Sequence, residues 1–367
     1  MGNKSEVFFA SAHVKEPEAD ATLPAKLRRI LEKIDLKNIC RDDYVPIKIH
    51  LGANLGYTTI HPVFIRVLVE ELKKAGGKPF IVEGSFQQVY DAAARGYTSE
   101  TLGCPIVAAG GPYGTNIIKQ EIGYRSLDAV NILGAIWDAP SLINFSHVKG
   151  HGVCAYGGAC KNIAMGCVDR ETRRKIHSLE GGISWDESKC VFCGKCEEAC
   201  DTGGIEVDKA EKKFRLFFHN CRYCRHCISA CPKDALKMDD RDGFRHFQEG
   251  MAMTTKKVMD SFEKSRVLHI NILTNITMFC DCWGFSTPAI VPDIGIFASS
   301  DMVAVEKASL DSIKEENFIK GSLIGKWQLG EGRHLLEKIF GKNPYVQIEE
   351  LERQGVGQTA FKLTEIK

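Results

Sequence analysis

Nowhere does the sequence hold an apolar run approaching the roughly 20 residues a membrane-spanning helix needs. Nor do its 48 basic and 47 acidic side chains leave the basic excess expected of a nucleic-acid binder. A membrane span and a nucleic-acid partner are set aside on those grounds. The opening MGNKSEVFFASAHVKEPEAD has only a short apolar patch followed by charge, unlike the core of a secretory signal. Low-complexity linkers are missing too. What the chain does have is cysteine, 15 residues in 367. A long chain with no export signal is expected to meet a reducing cytoplasm, where clustered thiols read as metal ligands rather than disulfides.

Eight of the cysteines fall into two copies of one pattern, Cys190-x2-Cys193-x2-Cys196-x3-Cys200 and Cys221-x2-Cys224-x2-Cys227-x3-Cys231-Pro232. This is bacterial two-cluster ferredoxin spacing, in which three cysteines wrap one 4Fe-4S cubane and the fourth crosses to the other. The expected ligand sets are therefore Cys190, Cys193, Cys196 and Cys231 for a first cluster, and Cys200, Cys221, Cys224 and Cys227 for a second. Structural zinc, the competing use of such cysteines, prefers isolated C-x2-C pairs joined by a longer spacer. Asp201 stands where the first motif would carry proline, a residue that shapes backbone and supplies no ligand. Arg222, Arg225 and His226 surround the second loop, whereas Glu197 and Glu198 face only Lys189 and Lys195 around the first. Positive charge favours the more negative reduced state, so the second cluster is expected to be easier to reduce unless screening levels the difference.

On either side of this segment the pattern is α/β. In YVPIKIHL, Val45, Ile47, Ile49 and Leu51 alternate with Pro46, Lys48 and His50, as in a strand packed mainly on one face. Pro62 opens a helix whose Phe64, Ile65, Leu68 and Leu72 recur at helical spacing, Gly76-Gly77 ends it, and KPFIVEG returns as a strand. Such a unit makes a parallel right-handed crossover. A helix near 87–95, strands in 105–109 and SLINFSHV, strands in HINILTNIT and DIGIFA, and a helix capped by Asp301 extend the pattern. The expected fold is an α/β host with a largely parallel sheet plus an inserted ferredoxin-like α+β module. Residues 1–180 and 241–367 would form the host and 181–240 the module.

Further candidates lie in FSHVKGHGVCAYGGACKNIAMGCVDR. On a strand, His147, Lys149 and His151 share one face. Lysine and glycine-rich backbone amides suit an anionic ligand, and the histidines suit metal ligation or proton donation; an ordinary solvated loop is the competing reading. Gly150-x-Gly152-x-x-Ala155 mimics a dinucleotide fingerprint, although no clear helix opens at it. Cys154, Cys160, Cys167, Cys280 and Cys282 are open to three uses: a third metal, thiol redox chemistry, or burial as structural thiols. Cys40 and Cys104 read as structural, and His50 and His61 either flank a cleft or are satisfied structural histidines.

Together IKIHLGANLGYTTIHPVFIRVLVEELKKAGGKPFIVEGS, HVKGHG with GGACKNIAMGC, and PAIVPDIGIFASSDMVAVEKASLD resemble the iron-sulfur branch of the family called domain of unknown function 362. The resemblance covers nearly the whole chain. It implies an α/β host carrying a two-cluster ferredoxin segment, of the kind found in cytoplasmic redox proteins of anaerobic bacteria and archaea. It also implies functional roles for His147, Lys149, His151, Lys161 and Asn162, and for Asp293 and Asp301. The function expected first is electron transfer through two 4Fe-4S clusters, to or from a soluble redox partner protein or a small-molecule acceptor. Two alternatives stand beside it: an oxidoreductase whose clusters feed a substrate or a flavin-like second cofactor near 147–162, and a redox or oxygen sensor.

Overall fold

The computed structural model describes residues 4–240 and 242–367. Its centre is one eight-stranded sheet. In chain order the strands are β1 (Ser5–Ser11), β2 (Tyr44–Lys48), β3 (Lys78–Glu83), β4 (Ile106–Ala108), β5 (Leu142–His147), β6 (Val267–Leu273), β7 (Gly295–Ser299) and β8 (Phe361–Glu365). Across the sheet they lie in the order β8-β1-β7-β6-β5-β2-β3-β4. β7 pairs antiparallel with β1 and β6, and the remaining pairs are parallel. The sheet is thus mixed but mostly parallel, as the strand-helix-strand reading predicts.

Helix α1 (Leu23–Leu31) and α2 (Pro62–Lys74) cover one face of it. Pro62 costs nothing in the first turn, where its missing N–H has no intrahelical partner. His61 completes the cap by accepting from the Val63 N–H at 3.2 Å. At the other end Gly76 takes the left-handed conformation (φ 91°) and the Gly77 N–H returns to the Leu72 carbonyl at 2.9 Å. The apolar stripes of both helices pack on Val45, Ile47, Ile143, Phe145, Ile270 and Ile272 of the sheet.

The opposite face carries α3 (Ala159–Gly166), α4 (Gly243–Met259) and α5 (Met302–Ser312). Strand alternation, which sends Ile143 and Phe145 one way, sends Asn144 and Ser146 here, and Lys48, His269 and Asn271 join them in full burial. The non-isoleucine face of β2 is therefore not solvent-facing, as the alternation alone would have it. Hydrogen bonds tie this polar layer together. Asn162 of α3 donates to Asn144 Oδ1 (2.8 Å) and the Lys48 carbonyl (3.0 Å), while Asn271 donates to Glu306 Oε2 of α5 (3.0 Å).

Residues 183–238 add no strand to the large sheet. Ile183–Trp185 pairs antiparallel with Leu236–Met238 and Ile205–Asp208 with Lys213–Leu216, around a small core of Ile183, Ile205, Val207 and Leu236. β5 precedes this segment, β6 follows it, and the two pair directly. Among the described residues no helix is long and apolar enough to cross a membrane.

Candidate functional site

The two cysteine loops fold alike. Phe192 and Tyr223, each just before the second cysteine of its motif, take φ of 50° and 58°. Gly194 and Arg225, just after it, take 80° and 67°. Short helices then carry the third cysteines, Lys195–Glu198 with Cys196 and His226–Ala230 with Cys227. Runs of this kind turn backbone N–H groups inward toward an anionic centre.

Cys190, Cys193, Cys196 and Cys231 line one small cavity walled by Trp185, Phe192 and Phe214. Cys200, Cys221, Cys224 and Cys227 form the other group: burial, then the neighbouring Cys221, Cys224 and Cys200, push the Cys227 thiol up to about 12. Thiols crowded so closely deprotonate together only if a cation compensates them. The fourth cysteines are matched as well, Cys200 accepting from the Gly204 N–H (3.1 Å) and Cys231 from the Ala235 N–H (3.3 Å).

Of the basic residues around the second loop, Arg225 and His226 are exposed. The Arg222 side chain is only 9% exposed, stacks 4.6 Å from the Trp327 ring and lies 3.8 Å from Asp201. Lys342, more than a hundred residues away in sequence and unmarked by any motif, also comes close. It is buried over the Phe244 ring, donates to the Gly152 carbonyl, and is pushed down to about 7 by burial.

Beside the second loop the host opens a cleft of about 190 Å³. All five candidates of the polar stretch, His147, Lys149, His151, Lys161 and Asn162, line it, together with Lys48, His50, Glu83, Arg173, His177 and His219. Two buried carboxylates organise the cations. Glu83, ending β3, accepts from Lys48 Nζ (3.3 Å), His50 Nδ1 (3.1 Å) and the Leu51 N–H (2.9 Å). Burial alone would raise its carboxyl, but Lys48 and His50 outweigh that and hold it well below the usual range. Asp281 is set between His147 Nδ1 (2.9 Å) and Lys149 Nζ (2.6 Å), and although burial opposes ionisation these two keep it charged. His147 also donates Nε2 to the Thr274 carbonyl at 2.8 Å. Both ring nitrogens are thus engaged, and His147 holds Asp281 in place.

Lys161 differs from the other two lysines. Among the described residues it has no carboxylate partner; its Nζ donates toward Cys280 Sγ at 3.8 Å, and burial, followed by Lys149, lowers its pKa to about 8. His50 Nε2 and Asn162 Oδ1 are buried without a hydrogen-bond partner. Burial also lowers the His50 pKa, so Nε2 presents a lone pair. An unpaired ammonium and two orphaned polar atoms in one small cleft suit an anionic ligand with a proton to exchange.

Other expectations fall elsewhere. Asp293 accepts from the Asn275 N–H at 2.7 Å, and Asp301 caps α5 through the Ala304 N–H (3.1 Å) and holds Ser5 Oγ (2.6 Å); neither reaches the cleft. The glycine fingerprint is a hairpin, Lys149–His151 against Ala155–Gly157, and not a strand-to-helix turn. Its glycines admit close neighbours: a Cβ on Gly150 would meet the Met278 carbonyl at 2.3 Å, and one on Gly152 the His219 carbonyl at 2.5 Å. Cys154, Cys160 and Cys167 are buried with raised thiol pKa values, burial being the first cause for each. Cys280 and Cys282 are joined as a disulfide, within reach of His151.

The paired four-cysteine loops stand beside a cationic cleft, and the curated proteins this chain is similar to carry names of electron-transport and oxidoreductase proteins. Over 73 residues it is 33% identical to NADH-quinone oxidoreductase subunit I 2 of Geobacter metallireducens, covering 18% of this chain and 54% of that one. Over 53 residues it is 32% identical to an uncharacterized ferredoxin of Methanocaldococcus jannaschii, covering 14% of this chain and 69% of that one. The chain thus spans about half the length of the first of these relatives. Among solved structures, the lactate racemase apoprotein from Thermoanaerobacterium thermosaccharolyticum aligns with a TM-score of 0.39 at 11% identity, over 85% of this chain and 57% of that chain. That likeness is too remote to inform the chemistry. The chain belongs to the family described as "Domain of unknown function (DUF362)", which matches residues 45–311, and the resemblance read from the sequence is borne out.

Proposed function

We propose that the protein is an iron-sulfur oxidoreductase in which residues 181–240 form a ferredoxin-type module and 1–180 with 241–367 form its α/β host. Cys190, Cys193, Cys196 and Cys231 would hold one 4Fe-4S cluster and Cys200, Cys221, Cys224 and Cys227 the other; such clusters supply single low-potential electrons when bound. The observation that carries this reading is His219, two positions before Cys221, which lines the host cleft. The second loop therefore touches the pocket, and the first loop contributes no side chain to its lining. A soluble redox partner would dock at the first loop.

Within the cleft, Lys161 and Arg173 attract an anionic small molecule, Lys149 is held ready by Asp281, and the His50 lone pair takes or returns a proton at Nε2. At about 190 Å³ the cleft lies below the roughly 300–1,000 Å³ typical of drug-sized ligands, which favours a compact anion over a flavin. Anaerobic purification with iron, sulfide and organic-cofactor analysis, then reoxidation of the reduced protein by candidate small anions, tests the proposal. Reduced clusters indifferent to every such anion would leave a simple relay. Zinc in place of iron and sulfide would end the redox reading.

Two expected results follow from the charges. In an EPR-monitored titration the second cluster should have the higher potential, and Arg222→Gln should lower it by on the order of tens of mV, because that guanidinium is shielded from solvent. Equal potentials, or no shift in the variant, would count against this. Binding of inorganic sulfate, followed by calorimetry, should be roughly constant below pH 8 and weaken about tenfold per pH unit above it, as Lys161 sheds the proton that pairs with the anion. Sulfate itself does not titrate in that window.

A further inference from the structure

Helix Arg170–His177 runs directly into a 3-10 turn, Ser178–Glu180, so that His177 and Glu180 stand three residues apart on one face. Across from them another 3-10 turn, Phe218–Asn220, delivers His219 just ahead of the second cysteine loop. A ring nitrogen of each histidine and a carboxylate oxygen of Glu180 lie within 4.8 Å of one another. We propose that His177, Glu180 and His219 bind a divalent first-row transition-metal ion that faces the cleft.

Glu180 supplies a second, independent reason. Its side chain is 7% exposed, yet among the described residues no lysine or arginine lies within ion-pair distance of it, and its contact is with His177 Nδ1. A buried carboxylate without a permanent cation is costly, and removing it from water is tolerated where a metal or a paired charge compensates it. Glu83 and Asp281, by contrast, each have a lysine.

The scaffold holds the three groups in place. Phe247 packs 5.2 Å from the His177 ring, and Tyr223 of the second loop donates to the Glu180 carbonyl at 2.6 Å. Two imidazoles and one carboxylate on one side of an ion leave its remaining positions open. Both histidines line the cleft, so those positions meet the ligand that Lys161 attracts. The bound anion would then bridge ion and ammonium. The inference deepens the proposed function only in assigning the cleft a ligand; it does not depend on the clusters.

The test is metal binding by the intact, anaerobically prepared protein after mild chelation, with zinc, ferrous and manganous ions in separate equilibrium dialyses. Inorganic sulfide measured on the same samples reports cluster content, so a failure of the cluster assignment is seen separately. One ion per chain is expected, with Glu180→Gln and His177→Gln each weakening it at least about 100-fold. Cys280→Ser serves as a control, since His151 with Cys280 and Cys282, once their disulfide is reduced, would form a softer set that also converges. Loss of binding in Cys280→Ser, with retention in Glu180→Gln, would move the ion to that set and overturn the assignment. Failure of the unaltered protein to retain any of the three ions would overturn it outright, whatever the variants do.

Discussion

Cys200→Ser, although it alters the first motif in sequence, is expected to empty the same cluster as Cys221→Ser. Each change should remove about half of the iron, since on the proposed ligand sets each cubane would take its fourth ligand from the opposite motif. Combining the two should remove little more than either alone, because both sulfurs serve one centre and their effects cannot add. Pairing Cys200→Ser with Cys190→Ser should instead strip nearly all of the iron. The geometry behind this is the gathering of Cys200 with Cys221, Cys224 and Cys227, and of Cys231 with Cys190, Cys193 and Cys196. Iron and sulfide analysis of the four proteins decides it. If the Cys200 and Cys190 changes behaved as one site, each motif would be keeping its own cluster.

The second large effect separates two lysines that share the cleft. Lys48→Met leaves Glu83 buried beside His50 alone, and breaking a buried pair in this way destabilises by about 3–5 kcal/mol. Lys161→Met should do the reverse. A lysine held near 8 rather than 10.5 bears a desolvation penalty that is fully present below pH 8 and is relieved as pH rises toward 10.5. Removing that ammonium should stabilise the free protein at neutral pH by about 1–3 kcal/mol, allowing for its partial exposure, while sulfate binding falls at least about tenfold. Denaturant melts at pH 7 and again at pH 10 check the sign, because the gain should shrink at the higher pH. A destabilised Lys161→Met protein would mean that the ammonium is structural.

How much of this was legible in the chain depended on how local the signal was. The β2-α2-β3 unit was readable because alternation, Pro62 and the Gly76-Gly77 stop are all written within forty residues. The cysteine loops were readable for the same reason. Lys48 was not, since alternation assigns it to the solvent side, and only the tertiary fold lays α3 over that side. Gly166 makes the room: a Cβ there would meet Lys48 Cε at 2.2 Å. Glu83, Asp281, Arg173 and Lys342 were invisible for a related reason, being single charged residues in unremarkable contexts that meet only through the sheet. His177-x-x-Glu180 did carry a usable spacing, but its third member arrives from the cysteine segment. Conversely, Asp301 stood out as a helix cap, and capping is its role.

The placement of β1 has a consequence for how the molecule is assembled. Its partners, β7 and β8, lie far downstream, so β1 leaves the ribosome long before the strands that close its hydrogen bonds. Closing so long a loop is slow, and an unpaired strand is prone to aggregate meanwhile. The cysteine segment, by contrast, is complete in the nascent polypeptide before β6, β7 or β8 exists. On the proposed cluster sites, iron delivery would therefore meet a chain whose cysteines are already presented while its sheet is still half built, and chaperones that shield the waiting strand would also lengthen the time available for loading.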